Sequence, residues 1–163
     1  MATRSTIGIL NSDGSVTAVY CHWDGYPEYN GKILSENYDT SDKVRELLAM
    51  GSISSLGEKI GVKHPFSRFD LPDGAVYDEA AYEGMTTFYG RDRGEQGVEA
   101  RTFANPTEFV REFGEEYNYL FVNDRWFVNQ YGAEEHGGQA VFDMVEFVLE
   151  QREAERECAW CES

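Results

Sequence analysis

The run His22-Trp23-Asp24-Gly25-Tyr26-Pro27-Glu28 packs an imidazole, two carboxylates, an indole and a phenol into seven consecutive residues. An imidazole beside carboxylates is held in one tautomer and has its proton affinity tuned toward neutral pH, so His22, Asp24 and Glu28 are the candidate acid–base residues. Trp23 and Tyr26 offer flat faces on which a ligand can stack. No serine or cysteine nucleophile in a recognisable elbow accompanies them, and Cys21, although adjacent, falls on the other face of a strand. The same residues also have a purely architectural meaning. Asp24-Gly25-Tyr26-Pro27 is turn chemistry, and Trp23 and Tyr26 can close the rim of a core.

A second cluster is Gly90-Arg91-Asp92-Arg93-Gly94. Two arginines between glycines make a local positive island whose planar forks can grip a phosphate or carboxylate, so Arg91 and Arg93 join Trp23 and Tyr26 as candidate ligand-binding residues. As an exposed hairpin loop, the same arginines would simply pair with neighbouring carboxylates. If the segment carrying Lys63, His64 and Arg68 folds over this end of a sheet, His22 and the arginines could line one pocket for a nucleotide-like, phosphorylated ligand. Cys158 and Cys161 have Cys-x-x-Cys spacing, half of a zinc site or a redox pair. The other donors, Cys21, His22, His64 and His136, stand at no motif spacing, so neither a metal nor a cofactor is expected.

These side chains need elements to position them. A β-branched stretch from Thr3 to Leu10 precedes Asn11-Ser12-Asp13-Gly14, so a hairpin is expected, with Ser15 to Trp23 as its second arm. Val16, Ala18, Tyr20 and His22 alternate with Thr17, Val19, Cys21 and Trp23. Both faces carry apolar bulk, which marks an inner strand. Ile33 and Leu34, then Val44, Leu47 and Leu48, recur at helical spacing. Thr40-Ser41-Asp42 caps the second of these helices and Gly51 follows its end. Glycines and prolines break every periodic run from 51 to 85, which predicts a long ordered loop. Short strands are expected at Thr86 to Tyr89 and Val98 to Phe103, and a helix from Asn105-Pro106-Thr107-Glu108. A second hairpin is expected around Asn123-Asp124-Arg125, and a closing helix from Gln139 to about Arg156. The pattern predicts one α+β domain over residues 1–150, with an antiparallel sheet of five or six strands and helices mainly on one face. Residues 151–163 are expected to form an acidic, flexible tail.

The Thr3-Arg4-Ser5-Thr6-Ile7 start and the His22 to Glu28 run are followed by Gly31-Lys32-Ile33-Leu34, Ile53-Ser54-Ser55-Leu56-Gly57 and Lys63-His64-Pro65-Phe66. With Phe88-Tyr89-Gly90-Arg91-Asp92-Arg93-Gly94-Glu95, this ordered set resembles a family of small uncharacterised proteins of tailed bacteriophages, over roughly residues 3–130. The resemblance implies a viral accessory protein acting in the host cytoplasm, and it carries over no catalytic role.

Charge narrows the partner classes. Over 163 residues, 30 Asp and Glu stand against 14 Lys and Arg, a net charge of −16, which repels nucleic acid and anionic membranes. A hydrophobic content of 41%, with 14% aromatic, supplies a core and argues against disorder. No membrane-span window or signal sequence is expected, and an odd count of 3 cysteines fits a reducing compartment, the cytoplasm. Glu134, Glu135, Asp143, Glu146, Glu150, Glu153, Glu155, Glu157 and Glu162 concentrate the excess near the C-terminus, opposed only by Arg152 and Arg156. Such a surface can imitate a phosphate array and occupy the basic groove of a host protein, or it can merely keep a helix solvated. The expectation is a non-enzymatic, phage-type accessory protein that binds a basic host protein. The alternative is a pocket formed by the His22–Glu28 motif and Arg91/Arg93 for a small phosphorylated ligand.

Overall fold

Asn11 to Gly14 reverse the chain as their types require: Gly14 adopts φ 87°, and the Asn11 amide N–H donates to the Ser15 carbonyl at 2.8 Å. The arms are β1 (Ser5–Leu10) and β2 (Val16–Cys21), paired antiparallel from Ser5↔Cys21 to Leu10↔Val16. The computed structural model describes residues 2–72, 74–130 and 138–161. Glu134, Glu135, His136 and Glu162, together with the side chains of Arg68, Glu157, Cys158 and Cys161, lie outside the described residues, and with them the expectations attached to them.

The second hairpin joins β6 (Tyr117–Val122) to β7 (Arg125–Asn129) through Asn123 and Asp124, both left-handed at φ 48° and 61°. Between the hairpins come β3 (Ile53–Ser55), β4 (Thr87–Phe88) and β5 (Arg101–Phe103), and β8 (Asp143–Met144) follows them. The sheet runs β4-β3-β2-β1-β6-β7-β8, with β5 pairing the first half of β2. The α+β class and the inner position of β2 are as expected. The sheet is mixed, however, with eight strands among the described residues where five or six antiparallel ones were expected. β6 lies parallel to β1 from Ser5↔Tyr117 to Ile9↔Phe121, and β3 meets β2 in parallel at Cys21↔Ile53. Side-chain alternation reports which face a residue occupies and not the direction of its neighbour, and strands of two or three residues leave no period to read.

The inner strands β1, β2 and β6 lie between two apolar clusters. Ile7, Ile9, Val19, Cys21, Tyr119 and Phe121 face α1 (Lys32–Asn37), α2 (Ser41–Leu48) and α6 (Val145–Cys161), which bury Leu34, Val44, Leu47, Leu48, Val145 and Val148. Val16, Ala18 and Leu120 face the other way, against Phe103 and the Phe109 and Val110 of α5 (Pro106–Phe113). Helices therefore cover mainly one face. Each large side chain so buried contributes about 1.5–3 kcal/mol. The caps act as their residue types dictate: Thr40 Oγ1 accepts from the Lys43 N–H at 3.3 Å, and Asn105 Oδ1 from the Glu108 N–H at 2.9 Å.

The ordered excursion leaves and rejoins the sheet at one place. The Lys59 N–H donates to the Gly84 carbonyl at 3.0 Å and the Thr86 N–H to the Lys59 carbonyl at 2.8 Å. Within it lie a 3₁₀ turn at Arg68–Asp70 and α3 (Glu79–Tyr82). Gly90 to Gly94 are not a loop between strands: Tyr89–Arg93 form the short helix α4, ended by Gly94 at φ 78°. Residues 151–161, expected as part of a tail, continue α6. Among the described residues no helix is long and apolar enough to cross a membrane.

Candidate functional site

The His22–Glu28 run begins where β2 ends. The His22 and Trp23 amides donate to the carbonyls of Ile53 and Ser54, both at 3.0 Å, which fixes the backbone against β3. The imidazole Nδ1 of His22 shares a 2.7 Å hydrogen bond with the Tyr20 hydroxyl, and the ring stands edge-on to Trp23 at 4.7 Å. The chain then turns sharply. Asp24 is left-handed at φ 56°, and a Cβ on Gly25 would lie 2.8 Å from Ser5 Cβ and 2.9 Å from the Thr3 carbonyl oxygen, so only glycine fits. Tyr119 locks this turn by donating its hydroxyl to the Gly25 carbonyl at 2.6 Å.

Pro27–Gly31 form a single π-helical turn leading into α1. It directs Asn30 inward, where the side-chain amide donates to the Trp23 carbonyl at 3.1 Å and to Ser5 Oγ and Cys21 Sγ at 3.4 Å. Burial pushes the Cys21 thiol up to about 12, against the opposing hydrogen bonds from Asn30 and Ser5. A thiol so held is not a nucleophile at neutral pH.

Glu28 is directed elsewhere. Arg152 donates to its two carboxylate oxygens at 2.9 and 3.0 Å, and Arg156 stands 3.5 Å away. Burial alone would raise the Glu28 carboxyl. The Arg152 hydrogen bonds, a backbone bond and the charges of Arg152 and Arg156 outweigh it and hold the group below its ordinary value. The Asp24 carboxylate accepts a long 3.5 Å contact from the Tyr26 hydroxyl. The three candidate acid–base residues thus have three different partners: Tyr20 for His22, Tyr26 for Asp24 and Arg152 for Glu28. Among the described residues no hydrogen bond joins them into one catalytic set.

Arg91 is committed to the fold. Its guanidinium donates to Asp92 Oδ1 at 3.0 Å and Oδ2 at 3.2 Å, to the Thr86 carbonyl at 3.0 Å and to the Gly61 carbonyl at 3.2 Å, and it lies over the Phe88 ring. Asp92 completes a clasp by accepting from the backbone N–H groups of His64 at 3.1 Å and Phe88 at 2.8 Å. His64 is buried, stacked on Tyr82, with ring nitrogens on the Val62 carbonyl and the Thr87 hydroxyl. With four of its donor directions used internally, Arg91 is not free to grip an external phosphate. Arg93 is exposed and rests over the Phe66 ring at 5.0 Å. Asp92, which is not among the candidate residues named from the sequence, is therefore the organising residue of this cluster.

Two features face solvent. α6 is fastened through Val145, Val148 and Arg152 and presents Glu146, Glu150, Glu153 and Glu155 outward. Beside it, a cleft of about 770 Å³ lies between the π-turn with α1, which supply Glu28, Tyr29, Lys32, Ile33, Glu36 and Asn37, and the ends of the excursion, which supply Gly57, Glu58, Lys59, Ala80, Glu83 and Gly84. Its acids are scattered from position 28 to 83, so no sequence window reveals them. Among the described residues no group of three or more His, Cys, Asp or Glu side chains is placed to hold a metal ion. No family model, no curated protein and no solved structure matches the chain.

Proposed function

We propose that the protein acts by binding rather than by chemistry, and that its partner is a basic host protein engaged through the acidic surface in the cytoplasm. One observation carries this reading: α6 turns Glu146, Glu150, Glu153 and Glu155 to solvent, while three of the arginines are paired within the fold. Arg91 is spent on Asp92, Arg111 on Glu108 and the Gly138 carbonyl, and Arg152 on Glu28 and Gln130. The exposed α6 acids keep their charge available, on a chain of net charge −16. A field of that sign steers a basic partner and accelerates association. The resemblance to tailed-phage proteins supports a host protein as the partner, and the cysteine usage supports the cytoplasm. The alternative, a pocket for a small phosphorylated ligand, would need Arg91 to abandon four hydrogen bonds.

The test compares the immobilised wild-type chain with an E146K/E150K/E153K/E155K variant in host lysate. The wild type should retain a partner at about 50 mM salt and release it at several hundred millimolar, as screening shortens the reach of the field. The variant should retain none. No partner at low salt, or equal retention by both proteins, overturns the reading.

A further inference from the structure

Beside the π-turn lies a cleft lined by four glutamates, whose volume of about 770 Å³ falls within the range of ligand sites. Its carboxylates are not alike. Glu28 is already neutralised by Arg152 and Arg156. Among the described residues no cation stands within ion-pair distance of Glu36, Glu58 or Glu83, although Lys32 and Lys59 line the same cleft. Three acids outside ion-pair distance of any described cation share the space with an aromatic face: Tyr29 is 42% exposed and tilted against Tyr26 at 6.2 Å, with Ile33 as its aliphatic neighbour. The Tyr29 phenol is raised above its ordinary value, first by burial and then by negative groups that include Asp24 and Glu58.

The far wall is closely packed at its base. A Cβ on Gly57 would lie 2.4 Å from the Gly84 carbonyl oxygen, which shows how closely the two legs of the excursion pack there.

An aromatic face next to unpaired carboxylates suits one cation better than any other. A guanidinium stacks its plane on the ring and presents its N–H fork to a carboxylate, whereas an ammonium offers a strongly hydrated point charge and no fork. Resting on the binding reading above, we infer that the cleft seats an arginine side chain from an arginine-bearing segment of the basic partner, with Tyr29 against the guanidinium and Glu58 and Glu83 receiving its N–H groups.

The test measures fluorescence anisotropy with a labelled peptide of alternating arginine and glycine, its lysine and citrulline counterparts, and spermidine as competitor. The wild type should bind the arginine peptide at least about 5-fold tighter than the lysine peptide and leave the citrulline peptide unbound. E58Q/E83Q should weaken binding roughly 10-fold or more, as should Y29L, which leaves the charge unchanged. E112Q/E116Q makes the same change in net charge at two exposed acids that do not line the cleft, and it should alter affinity less than about 2-fold. Circular dichroism and melting confirm that each variant is folded. Equal losses in the two double variants, or equal affinity for arginine and lysine peptides, overturn the arginine seat. Spermidine binding more tightly than the peptide, and lost in E58Q/E83Q, overturns it in favour of a small polyamine. The α6 charge-reversal experiment decides the broader binding reading independently of these outcomes.

Discussion

Arg152 donates to both carboxylate oxygens of Glu28, at 2.9 and 3.0 Å, while its other amino nitrogen donates to Gln130 Oε1 at 2.8 Å. One guanidinium thereby ties α6 to the π-turn after β2 and to the residue following β7. A helix that looks like a solvated appendage in the sequence is fastened to the motif that looked catalytic.

The Glu28 contact should appear in stability as a function of pH. Its two side chains are about a quarter exposed, so E28Q should cost about 1 kcal/mol at neutral pH. The folded carboxyl lies below the ordinary 4.5, so the contribution is complete above that value and is lost as pH falls through the folded pKa. Urea unfolding of wild type and E28Q at pH 7 and at about pH 3 should show the stability gap closing in acid. A gap that widens in acid would show that Glu28 is not held ionised by Arg152.

Asp92 should be far more costly to change. Its carboxylate is fully buried and receives the Arg91 fork together with the amides of His64 and Phe88. Asparagine would turn an amide donor toward donors and leave the Arg91 charge without its partner, a loss of about 3 kcal/mol. Urea unfolding of D92N measures that loss, and a value under about 1 kcal/mol would return Arg91 to the list of residues free to bind a ligand.

Cys21 should be inert in the native state. A thiol pushed up to about 12 and fully buried is almost wholly protonated at pH 8. In a C158S/C161S background, Cys21 should react with a thiol reagent only at the rate of unfolding, and immediately in denaturant. Rapid labelling without denaturant would mean that the Asn30–Ser5–Cys21 cluster opens locally.

How much of this was legible depended on the range of the interaction. The β1–β2 and β6–β7 hairpins, the Thr40 and Asn105 caps and the two-faced β2 are set by neighbours within a few residues, so residue type and period disclosed them. The parallel β1–β6 pairing joins Ser5 to Tyr117, and the cleft joins Tyr29 to Glu83. Local pattern carries no information on either. The His22 motif shows the same division. Its turn chemistry was readable from Asp24-Gly25 and is present, whereas the fate of Glu28 depended on an arginine 124 positions away. Gly90 to Gly94 misled because glycines at both ends suggest a loop, while the deciding residue was Asp92, whose partners Phe88 and His64 lie in other elements.

The β6–β7 turn offers a change of opposite sign. Asn123 and Asp124 both occupy the left-handed region, at φ 48° and 61°, the conformation a two-residue hairpin loop demands at both positions. Asparagine tolerates it well and aspartate less so, while glycine has no Cβ to strain there. D124G should therefore stabilise the protein by about 0.5–1 kcal/mol, raising the melting temperature by about 1–4 °C for a chain of this size. D124V, whose β-branched side chain resists this backbone conformation, should destabilise it by at least about 1 kcal/mol. Both variants remove one negative charge, so long-range repulsion changes equally in the two and cancels from their difference. A calorimetric comparison of D124G with D124V thus isolates the backbone effect, and equal melting temperatures would show that the turn relaxes out of the left-handed conformation at no cost.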